Sequence, residues 1–332
     1  MNDRRRLFVT LAAASLSCAQ TAGLAQPNRK LWRVGYFSSA SRPASGAIDE
    51  EFLAGMKDLG YEVGRNLIVD WRYAEGDAAR YPALADELIA LQPDVLLVSS
   101  TGNIIVMKSK TTTIPIVMGS PGDPVADGIV QSLARPGGNI TGNSLQLTEL
   151  SAKQIEMMGE VLPRMRRVVL LIDSSQVSTA NERVEQLARA AASLRRVSLD
   201  AHRIDSPEAV RQAFRKLKTQ RADALLLSPT PRFNVLRPEI CQSAMNIRLA
   251  VIGFSDEWAE DGALMSFGPN WDAAYRRAAY FVDRIFKGAK PADLPVEQPT
   301  RFSMVINAKT ARALGITFPG ITLLRADRVI EE

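Results

Sequence analysis

DVLLVSSTG, residues 94–102, is the segment from which the fold can be read. Val95 to Val98 is an uninterrupted apolar run, the pattern of a strand buried on both faces. It stops at Ser99, Ser100, Thr101 and Gly102, and apolar residues at helical spacing resume from Ile104 to Lys110. Strand, polar corner, helix is the unit, and it recurs on either side. Upstream, strands are predicted at 32–37 and 67–73 and helices at 50–59 and 81–91. Downstream comes a strand at 114–118. The pattern then restarts with helices at 150–162, 179–194, 207–218 and 237–245. Strands are predicted between them at 167–172, 197–204, 222–227 and 249–254. Two successive β/α series of four or five strands each therefore call for two parallel sheets, each covered on both faces. The junction, Arg135 to Gly142, is turn-rich and short, so the two units are joined tightly. Residues 264–267 read as a strand, 271–287 as a helix, 295–307 as extended chain and 308–314 as a helix. These segments bring the chain back to the first unit and then again to the second.

The chain has 332 residues, 46% hydrophobic and 23% charged, which suits two globular domains. Its first 25 residues read as an export signal. Arg4, Arg5 and Arg6 precede an apolar, alanine-rich run from Leu7 to Leu16, and Gly23-Leu24-Ala25 supplies small residues for cleavage after Ala25. Arg5-Arg6-Leu7-Phe8 fits a twin-arginine signal, and an arginine-rich Sec signal fits equally. Ser15 stands where a lipobox takes Leu, which argues against Cys18 as a lipid anchor. No later stretch is long and apolar enough to span a membrane. Removing residues 1–25 takes away three arginines and Asp3, so the net charge falls from +5 to +3. No basic run longer than two follows, and no nucleic-acid partner is expected.

In open parallel sheets ligands sit beyond the carboxyl ends of the strands. Here those ends are Ser38-Ser39, Ser99-Ser100-Thr101, Gly119-Ser120-Pro121-Gly122-Asp123, Asp173-Ser174-Ser175, Ser228-Pro229-Thr230 and Ser255-Asp256-Glu257. Hydroxyls and amides suit a carboxylate or another polar head, and an Asp suits an ammonium group. The same residue types also cap helices after strands. Tyr36, Phe37, Phe233, Trp258 and Phe267 lie near strand ends, where they either cover a ligand or pack the core. Arg232 stands beside the predicted cleft and suits an acidic solute. No P-loop, dinucleotide fingerprint or nucleophile elbow is present. The single histidine, His202, cannot build a zinc site alone, and Cys241 reads as a small core residue. The expectation is a protein without cofactor or metal that is not an enzyme.

Several stretches together resemble one known family. They are Gly55–Tyr61 (GMKDLGY), Tyr73–Gly76, Thr111–Val117, Gly122–Val125, Ser132–Gly142 (SLARPGGNITG), Gly262–Gly268, Lys287–Pro295, Gln298–Phe302 and Ile306–Gly315. With the arginine-rich leader, the order is similar to the ABC-transporter substrate-binding family that includes tryptophan- and tyrosine-type binding proteins. The resemblance implies an α/β chain with the type I periplasmic-binding-protein fold: two doubly wound parallel-sheet lobes joined by a three-segment hinge. It places lobe one at 30–142 and 268–297 and lobe two at 143–267 and 298–332. It implies a monomeric periplasmic protein that captures an amino acid or small carboxylate-like molecule by hinge closure. An ABC permease in the inner membrane would be its partner. A ligand sensor signalling to a membrane protein, and a periplasmic enzyme, are the alternatives. Carried over, Ser100, Thr101, Ser120 and Asp123 face the cleft from lobe one, and Ser174, Ser228 and Asp256 from lobe two. Strand-end position adds Ser38, Ser39, Thr230, Arg232 and Phe267 as ligand-binding candidates.

Overall fold

The structure is a computed structural model that describes residues 30–174, 180–299 and 301–331. The export segment with its cleavage point after Ala25, Cys18 and Ser175 lie outside the described residues.

The first series runs β1 (Trp32–Ser38), α1 (Arg42–Asp58), β2 (Leu67–Tyr73), α2 (Tyr81–Ala90), β3 (Val95–Val98), α3 (Thr101–Lys110), β4 (Ile116–Met118) and β5 (Ile140–Gly142). Its five strands pair in parallel in the order β2-β1-β3-β4-β5. Side chains alternate across the sheet with period two. Val34, Tyr36, Val95, Leu97 and Val117 enter one core. Phe37, Leu96, Val98, Ile116 and Met118 enter the other. Burial on both faces is why these strands show unbroken apolar runs.

The second series runs α4 (Leu147–Val161), β6 (Arg167–Asp173), α5 (Ala180–Leu194), β7 (Ser198–Ile204), α6 (Pro207–Gln220), β8 (Ala224–Leu227), α7 (Pro231–Val235), α8 (Arg237–Asn246), β9 (Ala250–Gly253), α9 (Asp256–Glu260) and β10 (Met265–Pro269). The chain then forms α10 (Trp271–Phe286), β11 (Phe302–Asn307), α11 (Ala308–Leu314), α12 (Gly320–Arg325) and β12 (Arg328–Ile330). The second sheet has seven strands in the order β12-β11-β10-β9-β8-β6-β7. It is not wholly parallel, because β11 runs antiparallel to β10. Two strands more than the series predicts join it, because β11 and β12 return to its edge after α10.

Helix α10 does not stay with this sheet. Tyr275, Ala278, Ala279, Phe281, Val282 and Phe286 pack into the first lobe's core beside Phe52 and Met56 of α1. The chain thus passes between the two sheets three times: after β5, after β10, and again before β11. The passages are tied together. Asn143 bridges to Glu297, whose carboxylate takes two bonds of 2.8 Å from Arg277. Asn143 Nδ2 donates to the carbonyl of Ala274 at 2.8 Å.

One close approach is decisive at the second passage. A Cβ on Gly268 would stand 1.9 Å from the carbonyl oxygen of Phe254, which no side-chain rotation relieves. Gly46, inside α1, has nothing within 4 Å of its Cβ position. Gly268→Ala is therefore expected to cost about 2 kcal/mol or more by overpacking. Gly46→Ala is expected to add about 1 kcal/mol by helix propensity. Urea unfolding of the two variants checks both signs.

Candidate functional site

The strand ends of both sheets converge on one cavity. From the first sheet Ser38 ends β1 and Ser39 follows it, Ser99 to Thr101 follow β3, and Ser120 and Gly122 follow β4. From the second come Asp173, Ser228 to Pro231, Phe254, Ser255 and Glu257. Ala40 just before α1, Ala44 and Ile48 of α1, Leu147 and Thr148 of α4, Asn181 and Val184 of α5, Asn234 of α7, and Trp271 and Tyr275 of α10 complete the wall. Trp271 and Tyr275 are one helical turn apart and so share a face.

The first-lobe wall is a chain of hydroxyls that hold one another. Ser39 donates its N–H to Ser99 Oγ at 2.9 Å, and the two hydroxyls lie 3.0 Å apart. Asn103 Nδ2 reaches Ser99 Oγ at 3.3 Å and the carbonyl of Phe37 at 3.0 Å. Ser120 Oγ donates to the carbonyl of Ser99 and lies 3.3 Å from Tyr275 Oη. Ser38 and Ser45 share a bond of 2.8 Å. The Ser100 N–H bonds Asn103 Oδ1 at 2.8 Å, fixing the first turn of α3. Behind this wall Tyr73 donates to Asp49 Oδ2 at 2.7 Å, and burial pushes the Asp49 carboxyl above its ordinary range.

The second-lobe wall carries charge. Asp173 is fully buried, and its N–H donates to Ser228 Oγ at 3.1 Å. Its Oδ1 lies 3.5 Å from Arg232 Nε, whose side chain is only 12% exposed. Tyr81, from the first lobe, bonds Ser100 and Ser39 and lies close enough to feel both Asp173 and Arg232. Burial, then Asp173, push its phenol well up. Gly76 touches the same region, since its Cβ position is 3.5 Å from the Arg232 Cα and 3.4 Å from Val235. The two lobes therefore meet across the cleft at α7.

Of the residues expected at the site, Ser38, Ser39, Ser100, Thr101, Ser120, Ser228 and Thr230 line this cavity. The other five are placed elsewhere. Arg232 turns to Asp173 and is absent from the lining, so the acidic-solute argument built on it loses its free cation. Ser174 is exposed and donates its N–H to Ile204. Asp123 caps Ala126 N at 3.0 Å and lines a separate depression with Gln146, Arg183 and Gln298. Asp256 bonds Ser303, and burial raises its carboxyl. Phe267 stacks on Phe302 at 5.4 Å and packs onto the second lobe's cores. Tyr36, Phe37, Phe233 and Trp258 are core residues at 0% exposure. Sequence reasoning missed Trp271 and Tyr275, whose i, i+4 spacing on a predicted helix was the available signal. It named the corner containing Glu257 but chose Asp256 from it.

With this geometry in place, comparison with known proteins is direct. A family model described as ABC transporter substrate binding protein matches residues 34–330. The chain belongs to that family. A tyrosine-binding protein of Clostridioides difficile is 24% identical over 288 residues, 86% of this chain and 82% of that protein. A conserved domain protein of Vibrio cholerae superposes with a TM-score of 0.83 at 26% identity, covering 90% of this chain and all of that one. A domain from Streptococcus pneumoniae, solved in complex with L-Trp, gives 0.82 at 23% identity, covering 90% and 99%. The fold is the two-lobed type I periplasmic-binding-protein fold. Among the described residues no helix is long and apolar enough to cross a membrane.

Two predictions follow from the burial of charge and thiol. Asp173→Ala leaves the largely buried Arg232 without its carboxylate, at an expected cost of about 3–5 kcal/mol. The double variant Asp173→Ala/Arg232→Met is expected to recover more than half of it in urea unfolding. Cys241 is 2% exposed beside the carbonyl of Trp258. Burial, then Asp261, push its thiol up to about 12. It is expected to resist a thiol-reactive disulfide reagent at pH 8 and to react fully in denaturant.

Proposed function

We propose that this chain is the periplasmic solute-binding component of an ABC importer, capturing an amino acid or small carboxylate-like molecule in the interlobe cleft. The observation that carries the reading is one cavity walled from both sheets, with hydroxyls on one side and the carboxylates Asp173 and Glu257 on the other. Family membership supports transport as its setting. The relatives that bind tyrosine and L-Trp support an amino acid as cargo.

Lobe one is taken as residues 30–142 and 268–297, lobe two as 143–267 and 298–332. Ser38, Ser39, Ser100, Thr101 and Ser120 form the polar first-lobe side, where a carboxylate would be held. Ser228 and Thr230 close from the second. A solute touches both walls only when the lobes meet, so binding shifts the population toward the closed form. That form presents a joined surface to an inner-membrane permease, and the solute leaves chemically unchanged. The chain works as a monomer after loss of residues 1–25.

Two measurements test this. In a thermal unfolding screen of amino acids, carboxylates and nucleosides, a solute at about 100 times its Kd adds about 2.7 kcal/mol of stability. In small-angle scattering the same solute decreases the radius of gyration. Dimensions that stay constant at saturation would rule out capture by closure.

A further inference from the structure

The end of the second sheet opposite the cavity is strongly basic. Strands β7, β6, β8 and β9 are parallel neighbours whose starts are in register: Arg167 pairs with Ser198, Val168 with Ala224, and Ala224 with Ala250. Each strand is entered from a helix through a short corner, and every corner carries arginine. Arg164 and Arg166 precede β6, Arg195 and Arg196 precede β7, Arg221 precedes β8, and Arg248 precedes β9. All six are exposed, and none makes an ion pair among the described residues. At a strand spacing of about 4.8 Å the four corners form a strip about 15 Å long. In the sequence no more than two of these arginines stand together, and the topology gathers them.

Ordinary helix capping does not account for them. Cations near a helix C-terminus do favour its dipole. Yet the first sheet is entered in the same way through Gln92 to Asp94 before β3 and Thr111 to Thr113 before β4. Arg65, before β2, pairs with Glu62 at 3.2 Å, which leaves Arg135, before β5, as the exposed arginine of those corners without an ion pair. Three of the six also hold left-handed backbone: Arg196 at φ 57°, Arg221 at 48° and Arg248 at 56°. Glycine takes that conformation at least cost, as Gly60 does after α1. A long cationic side chain is kept there against that preference. The nearby acids are engaged. Asp200 pairs with Arg167 at 3.1 Å, Asp261 with Arg237 at 2.5 Å and Glu160 with Arg325 at 2.9 Å. Asp223, the acid within these corners, accepts from the N–H groups of Arg166 and Arg167 at 2.7 and 2.9 Å. Leu194, beside Arg195, is 89% exposed. The corners hold no aromatic residue on which a nucleic-acid base would stack. Guanidinium groups that match phosphate, with an apolar side chain among them, suit the surface of an anionic bilayer.

We propose that this arginine strip docks the chain on an anionic phospholipid surface, with Leu194 entering the headgroup layer. The cavity lies at the carboxyl ends of the same strands, so a docked chain keeps it turned away from the lipid. The docking goes beyond the reading of the cleft as a solute site and does not depend on it.

The test is co-sedimentation of residues 26–332, which include every described residue, with vesicles. One set is phosphatidylcholine alone, and the other contains about 30% phosphatidylglycerol. At low salt the anionic vesicles are expected to bind at least about tenfold more tightly, and added salt is expected to remove most of that difference. Arg196→Gly/Arg221→Gly/Arg248→Gly is expected to weaken anionic binding at least about tenfold without lowering the urea midpoint. Lys57→Gln/Arg65→Gln/Arg135→Gln takes the same charge from the first lobe and is expected to change binding less than about threefold. Arg164→Gln/Arg166→Gln/Arg195→Gln removes strip charge with the backbone preferences untouched, so an unfolded glycine variant does not decide the outcome. Equal binding to the two kinds of vesicle, or equal losses from the two lobes, overturns the docking strip. A short DNA duplex bound as tightly as the anionic vesicles overturns its assignment to lipid. Each of these results leaves solute capture standing.

Discussion

Helix α10 grows out of the second sheet and buries its apolar face against the first. Each large side chain it commits there, such as Phe281 or Val282, contributes about 1.5–3 kcal/mol. This packing is what makes two β/α series into one binding device. Without it the chain would be two sheets joined by a single strand passage. With it, the polypeptide passes between them three times, and the passages are bonded through Asn143, Arg277 and Glu297. It also delivers Trp271 and Tyr275 to the cavity, where Trp271 Nε1 donates to the carbonyl of Phe254 at 3.3 Å and Tyr275 Oη lies 3.3 Å from Ser120 Oγ.

The cavity that results is asymmetric in its chemistry. One wall is a neutral, self-bonded chain of serines whose geometry is set before any solute arrives. The other wall holds the charges, with one carboxylate matched by Arg232 and one, Glu257, without a cation in ion-pair distance among the described residues. Preorganised hydroxyls cost little to use, because their side-chain freedom is already lost.

Much of the fold was readable because burial on both faces leaves unbroken apolar runs, as at 95–98 and 168–172. What escaped was short or local. Strand β5 is three residues inside a turn-rich junction, and α7 and α9 are five-residue helices that begin at the strand corners themselves. The extended, Pro-broken stretch 295–307 pairs at two places, an isolated bridge at Glu297 and the strand Phe302–Asn307. At the site, hydroxyls directly after strands were legible because topology alone puts them at the carboxyl edge. The choice between Asp256 and Glu257 was not. A helix turns about 100° per residue, so adjacent acids at its start face different surroundings. Nor could the sequence show that Arg232 would be held by Asp173, a contact that exists only once β6 and α7 are neighbours.

The serine chain of the first lobe has a bearing on unloading. Because Ser39, Ser99 and Ser120 satisfy one another, departure of a guest strands none of these three hydroxyls. The first lobe can thus act as a resting dock with a shallow energetic floor. On the proposed reading, the emptied shell is ready for the next round without rebuilding its polar lining.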